Sequence, residues 1–253
     1  MKPYAALLMA PLALSLSPLA RAQEALPAGT ILPVALTASL NGARARPGER
    51  ITARVMQAVS IDPRFRIPNG ARVIGHIVQF EPDSQDGAQL SLRFDKVVAK
   101  KHEIRLNAGL RAVASYVEIE AAQIPAAGPD AGTSLYSATT VQIGGDIRYG
   151  TGGPVMAGGT KVGTGVAGGV VARITTTPRS ECAQGPSTRQ PQSLWVFSSG
   201  ACGIYGLPDL TIRESGLTQA TGEIMLRSSR GTVKLPSGTG LLLQVVDGSH
   251  RQN

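Results

Sequence analysis

Three histidines, His76, His102 and His250, carry the side chains best suited to acid–base or metal chemistry, and they are spread along the chain. None has a second His or a Cys at metal-ligand spacing, and His76, in a strand pattern, and His102, in a Lys-rich turn, read as surface residues. No G-x-S-x-G elbow presents a nucleophile. The acidic run Glu81-Pro82-Asp83-Ser84-Gln85-Asp86-Gly87 lacks calcium-loop spacing and reads as a hairpin turn. Gly163-Thr164-Gly165-Val166-Ala167-Gly168 matches G-x-G-x-x-G, which cradles a pyrophosphate only when a strand precedes it and a helix follows. Here the β-prone stretch Gly169 to Thr175 follows, and the match is a by-product of local glycine content. The sequence offers no catalytic, cofactor-binding or metal-binding residue.

The remaining reactive pair is Cys182 and Cys202. Met1-Lys2-Pro3-Tyr4, an apolar run from Ala5 to Leu19 and the small-x-small site Ala20-Arg21-Ala22 read as a signal peptide over residues 1–22, cut after Ala22. The run is shorter than the roughly 20 apolar residues of a spanning helix and is interrupted by Pro11 and Pro18. The protein is thus expected in the periplasm or secreted. In an oxidising compartment Cys182 and Cys202 are expected to form a disulfide. Closing a loop of about 20 residues contributes roughly 3 kcal/mol on the chain-entropy estimate.

The elements that must position these residues are strands. Ile51, Ala53, Val55 and Val59 alternate with Thr52, Arg54 and Ser60, and Leu90, Leu92 and Phe94 with Ser91, Arg93 and Asp95. Val113, Val117 and Ile119 alternate with Ala114, Tyr116 and Glu118. This period of two predicts half-buried strands in all three places. Thirty Gly and 17 Pro suit many short strands joined by tight turns. A pattern of apolar residue, Pro, any residue, Gly, then Thr or Ala occurs three times, at Leu26–Thr30, Ile67–Ala71 and Leu235–Thr239. Pro at the second place and Gly at the fourth predict a type I turn feeding a strand. The expected fold is all-β, a barrel or sandwich of short antiparallel strands with a Gly-rich insertion.

Residues 24–123 read as a first, barrel-like β module, 124–180 as a Gly-rich insertion or long hairpin, and 181–247 as closing strands that carry the cysteines. Nine of the twenty residues from Gly150 to Gly169 are glycine, a composition for a mobile loop or close-packed turns. The last Pro-x-Gly repeat is so like the first that strands from both ends are expected to share one barrel. Removing Lys2 and Arg21 with the signal peptide leaves 23 basic against 17 acidic residues, a net charge of +6. With no run of five or six like charges, the cations read as solvated strand faces, compatible with peripheral contact to a membrane or cell-wall polymer. Nucleic-acid binding is not expected, because aromatic residues make up only 4% of the chain and leave few stacking platforms.

Several of these features together resemble the periplasmic β-barrel of TrbI-like scaffold proteins of conjugative type IV secretion. They are Leu26-Pro27-x-Gly29-Thr30, Arg46-Pro47-Gly48-Glu49 leading to Val55, Ile67-Pro68-x-Gly70-x-x-Val73-x-Gly75, and Leu92-x-Phe94-Asp95. The resemblance spans residues 26–110, about a third of the chain. The stretch Trp195 to Gly206 and the Gly-rich insertion look like exported bacterial proteins of unknown function that share this barrel. The resemblance implies a barrel and no catalytic residues. The expected function is a non-enzymatic exported cell-envelope module acting through protein–protein contacts, with other envelope proteins or copies of itself. The alternatives are a hydrolase acting on cell-wall polymer and a barrel holding a small ligand.

Overall fold

The computed structural model describes residues 25–82, 87–123, 139–144, 147–149, 154–157, 160–166, 169–173 and 191–247. The expected signal peptide, His250 and Cys182 lie outside them. The protein is all-β, built on a large, nearly closed, barrel-shaped mixed sheet of ten strands. These are β1 (Ile31–Leu36), β2 (Arg50–Val55), β3 (Arg72–Pro82), β4 (Ala88–Ala99), β5 (His102–Arg105), β6 (Ala108–Ala114), β7 (Gly203–Tyr205), β8 (Leu210–Glu214), β9 (Ile224–Ser228) and β10 (Gly240–Val245). Their order around the wall is β7-β6-β10-β1-β2-β3-β4-β9-β8, with β5 paired to β4. All pairs are antiparallel except β7 with β6. First and last strands are neighbours, Ile31 facing Gln244 and Val34 facing Leu241. The chain is thereby closed on itself.

The period-two strands point their apolar set inward. Ile51, Ala53 and Val55 of β2, Leu90, Leu92 and Phe94 of β4, and Leu241, Leu243 and Val245 of β10 join one core inside the barrel. Each fully buried Leu, Ile or Phe contributes about 1.5–3 kcal/mol. The core is filled: the void among Leu36, Ile51, Phe94, Leu110, Leu226 and Leu241 is about 10 Å³, no larger than a single water.

The Pro-x-Gly repeats are turns, but they close one residue later than the sequence predicts. Thr30 N–H donates to Pro27 C=O, Ala71 to Pro68 and Thr239 to Pro236, at 3.1, 3.3 and 3.1 Å. Pro therefore opens each turn, and Gly takes its third place with φ of 83°, 83° and 84° at Gly29, Gly70 and Gly238. A positive φ at that place marks type II, not type I. Arg46-Pro47-Gly48-Glu49 is a fourth turn of this type, with Arg46 opening it, Pro47 in second place, Glu49 N–H on Arg46 C=O and Gly48 at φ 80°. In all four the Gly N–H donates at 2.8 Å to a residue of the strand beside the one the turn feeds: Val245, Ile77, Val55 and Leu36 for Gly29, Gly48, Gly70 and Gly238. That residue's N–H returns to the carbonyl after the Gly, at 2.8–2.9 Å. The turns thus seal strand ends, two on the β1–β10 pair and two on β2–β3.

A second layer covers part of the outer wall. It comprises helix α1 (Tyr116–Gln123), Ile143 and the segment 192–201. Ile119, Ala122, Ile143, Leu194, Val196, Phe197 and Trp195 pack on Ile31, Ala35, Ala112, Ala114 and Leu242, which face outward from β1, β6 and β10. The helix corrects the strand expected through Val117 and Ile119. Ser115 caps it, its hydroxyl accepting the N–H of Glu118 at 3.3 Å. Ser115-x-x-Glu118 has the residue types of a capping box, and that local preference outweighs the run of alternation.

Pro154–Ala157, Thr160–Val166 and Gly169–Arg173 of the Gly-rich region and Pro191–Ser193 beyond it pair in order as an antiparallel meander. Of the G-x-G-x-x-G glycines, Gly163 and Gly165 fall on its second strand, with Gly165 opposite Val170, and Gly168 lies outside the described residues. A strand, not a helix, follows them.

Candidate functional site

The histidines separate. His102 is exposed at the start of β5. His76, on β3, meets Asp95 of β4, its Nδ1 2.7 Å from Asp95 Oδ2. Arg93 Nε lies 3.4 Å from the other carboxylate oxygen. A register shift between Ile74 and Gly75 brings Asp95 there: Ile74 pairs with Lys96 and Gly75 with Phe94, leaving Asp95 as the extra residue. Gly75 is required at the shift, because a Cβ there would run into the carbonyl oxygen of Arg93. A His–Asp pair orients an imidazole for base catalysis only when a nucleophile bonds the other ring nitrogen. Among the described residues no Ser, Thr or Cys bonds His76, and no three metal-ligating side chains gather.

Beside this pair an open cleft of about 590 Å³ is bounded by Arg93, Asp95, Arg105, Asn107, Thr221 and Asp247. It holds two carboxylates and two guanidinium groups. One oxygen of Asp95 is taken by His76 and the other faces Arg93.

Two further polar groups are noteworthy. Arg111 is the bulged residue of β6, between Leu110 opposite Leu243 and Ala112 opposite Leu242. It is 3% exposed. It donates to Gln244 Oε1 at 3.2 Å and to the Ser199 carbonyl at 3.4 Å, tying the covering segment to the wall. Burial pushes its pKa down to about 10, the nearby Tyr205 opposing that shift. Tyr116 is exposed on α1, and its bond to Glu120 raises its pKa. Cys202 sits partly buried next to β7, its N–H and C=O both bonded to the Tyr205 hydroxyl, at 3.0 and 2.9 Å.

The opening in the wall lies between β7 and β8. Among the described residues each pairs with one strand only, β7 with β6 and β8 with β9. A cleft of about 390 Å³ lies along them, lined by Gly203, Ile204, Leu210, Thr211 and Ile212. Ile204 and Ile212 are partly exposed while packing on the interior core. The seam therefore offers partly exposed apolar side chains flanked by two strand edges that have no second strand partner among the described residues. That combination is what an added extended strand uses, its backbone satisfying the edges and alternate side chains filling the apolar slot. Sequence reasoning did not find the seam, because a missing strand partner leaves no mark in the strands on either side.

The chain is an all-β barrel protein. No protein-family model matches it, and no curated protein matches it either.

Proposed function

We propose that this chain is a non-enzymatic exported cell-envelope barrel module that acts through protein–protein contact, related to the TrbI-like scaffolds of type IV secretion. The observation that carries the reading is the open seam, where β7 and β8 each lack a second partner among the described residues. The filled interior counts against the ligand-holding barrel, since a void of about 10 Å³ admits no small molecule. The partner adds a strand, in an envelope protein or a second copy of this chain. Export rests on residues 1–22, and a mature protein beginning at Gln23 is the expected result of N-terminal sequencing. The Cys182–Cys202 bridge rests on export, and alkylation of both thiols without prior reduction would contradict it.

The test is a photoreactive residue placed at exposed Thr211 of β8, with a matched one at exposed Arg213, in the organism's own envelope. The proposal expects one discrete adduct from Thr211 that disappears when Ile212→Pro disrupts the edge in a protein still folded by circular dichroism. Absence of an adduct, or an adduct indifferent to Ile212→Pro, counts against it. A second reading, a hydrolase of cell-wall polymer, draws on the cleft that holds Asp95 and Asp247. It requires Asp95→Asn to abolish polymer cleavage by the purified protein.

A further inference from the structure

The barrel gathers cations that are scattered in the sequence onto one outer face, away from the seam. Arg50 and Arg54 of β2, Arg72 of β3, Arg93 and Lys96 of β4 and Arg105 of β5 are exposed or partly exposed. Cross-strand register places them side by side. Arg50 faces His76, which faces Arg93; Ile74 faces Lys96, which faces Arg105; and Arg54 directly faces Arg72. The carboxylates near this group are engaged or at its margin: Asp95 is held by His76 and Arg93, Glu103 by Lys96 at 2.9 Å and Glu81 by Gln79 and Gln89, while Asp247 borders the cleft beside Arg93 and Arg105. Among the described residues no ion pair reaches Arg50, Arg54 or Arg72. Two arginines directly opposed across an antiparallel pair repel one another. A face that keeps such a pair beside four more cations is complementary to a polyanion.

We infer that this face binds an extended, carboxylate-rich polypeptide segment of a partner protein. Five of the six cations are Arg, whose planar fork pairs bidentately with carboxylate. The rows run across β2 to β5, around a curved wall with neighbouring strands about 4.8 Å apart. A flat bilayer would touch only a ridge of such a wall, whereas a flexible chain follows it. The side chains between the charges are Thr52, Ile74, His76 and Val98, with no Phe, Tyr or Trp on which bases stack. These features favour an acidic chain over a membrane or a nucleic acid.

The test measures binding of the protein to a labelled Asp/Glu-rich peptide, to anionic phosphatidylglycerol vesicles and to duplex DNA, at about 50 mM and about 0.5 M salt. The peptide is expected to bind best, to be released at high salt, and to lose about tenfold or more in affinity in Arg54→Glu/Arg72→Glu. Lys234→Glu, a single charge reversal away from this face, is expected to alter it less than about twofold. Tighter binding to vesicles or DNA overturns the inference, as does equal weakening by Lys234→Glu. If the double variant is misfolded by circular dichroism, Arg54→Gln/Arg72→Gln replaces it, with loss of peptide binding still required. Cross-linking from Thr211 should be unaffected by these variants, so the face and the seam fail or stand separately.

Discussion

The wall formed by β6, β10 and β1 and the wall formed by β2, β3, β4, β9 and β8 belong to one sheet yet are built differently. The first is buried on both faces: every residue of Ile31–Leu36, Ala108–Ala114 and Gly240–Val245 is buried. The second is buried on its inner face only, so Arg50–Val55 alternates exposed, buried, intermediate, buried, exposed, buried. The two-sided wall is buried like a core, and the one-sided wall keeps a solvent-facing side. The covering layer also holds a strained residue in place. Trp195 has φ 54°, a region a bulky side chain enters at a cost, and it is held by an edge-on contact with Phe197, ring centres 6.4 Å apart, and by Gln57 on its N–H.

The largest expected contrast comes from one substitution on each wall. Phe197→Ala, in the covering layer and 0% exposed, should cost about 3–5 kcal/mol, measured by denaturant unfolding. Ile74→Ala, on the outer face of the one-sided wall, should cost under about 1 kcal/mol. Equal costs would mean that the covering layer is not part of the cooperative unit.

The same contrast decided what was legible in sequence. Alternation revealed β2 and β4, because one face is wet and the period of two survives. It was silent on Ile31–Leu36 and Gly240–Val245, where both faces are apolar and periodicity vanishes. In α1, the start signal at Ser115 and Glu118 was present but lay inside a stretch that also alternates, and the strand reading prevailed. The repeated turns were visible, yet their type was not, since Pro and Gly fit a turn closing at either of two places. The approach of His76 to Asp95, 19 residues apart, depends on a bulge that no local pattern announces. The scattered cations looked like ordinary solvated faces until cross-strand register aligned them.

Smaller effects sharpen the comparison. Gly75→Ala, at the bulge where the strands approach closely, should destabilise by about 1–3 kcal/mol, because backbone and not a flexible tip stands in the way. Gly70→Val should cost about 1–2 kcal/mol although its site is open, since the burden is φ of 83° alone. An unchanged melting temperature would remove the turn from the account. Arg111 gives a pH-dependent difference. Its folded pKa, about 10, lies below the usual arginine value, so above pH 10 the unfolded chain binds more protons than the folded one. Stability relative to Arg111→Met should therefore rise as pH climbs from about 9 to 11, in paired thermal melts. The smallest effect is expected at the exposed Lys96–Glu103 pair, where Glu103→Gln should change stability by about 0.5 kcal/mol or less.

Amide hydrogen exchange of the isolated protein tests the two-walled barrel with an open seam most directly. Amides of β1, β6 and β10 should exchange only through global opening, while those of β8 that do not pair with β9 should exchange orders of magnitude faster. Protection of β8 equal to that of β10 in the isolated protein would contradict the account.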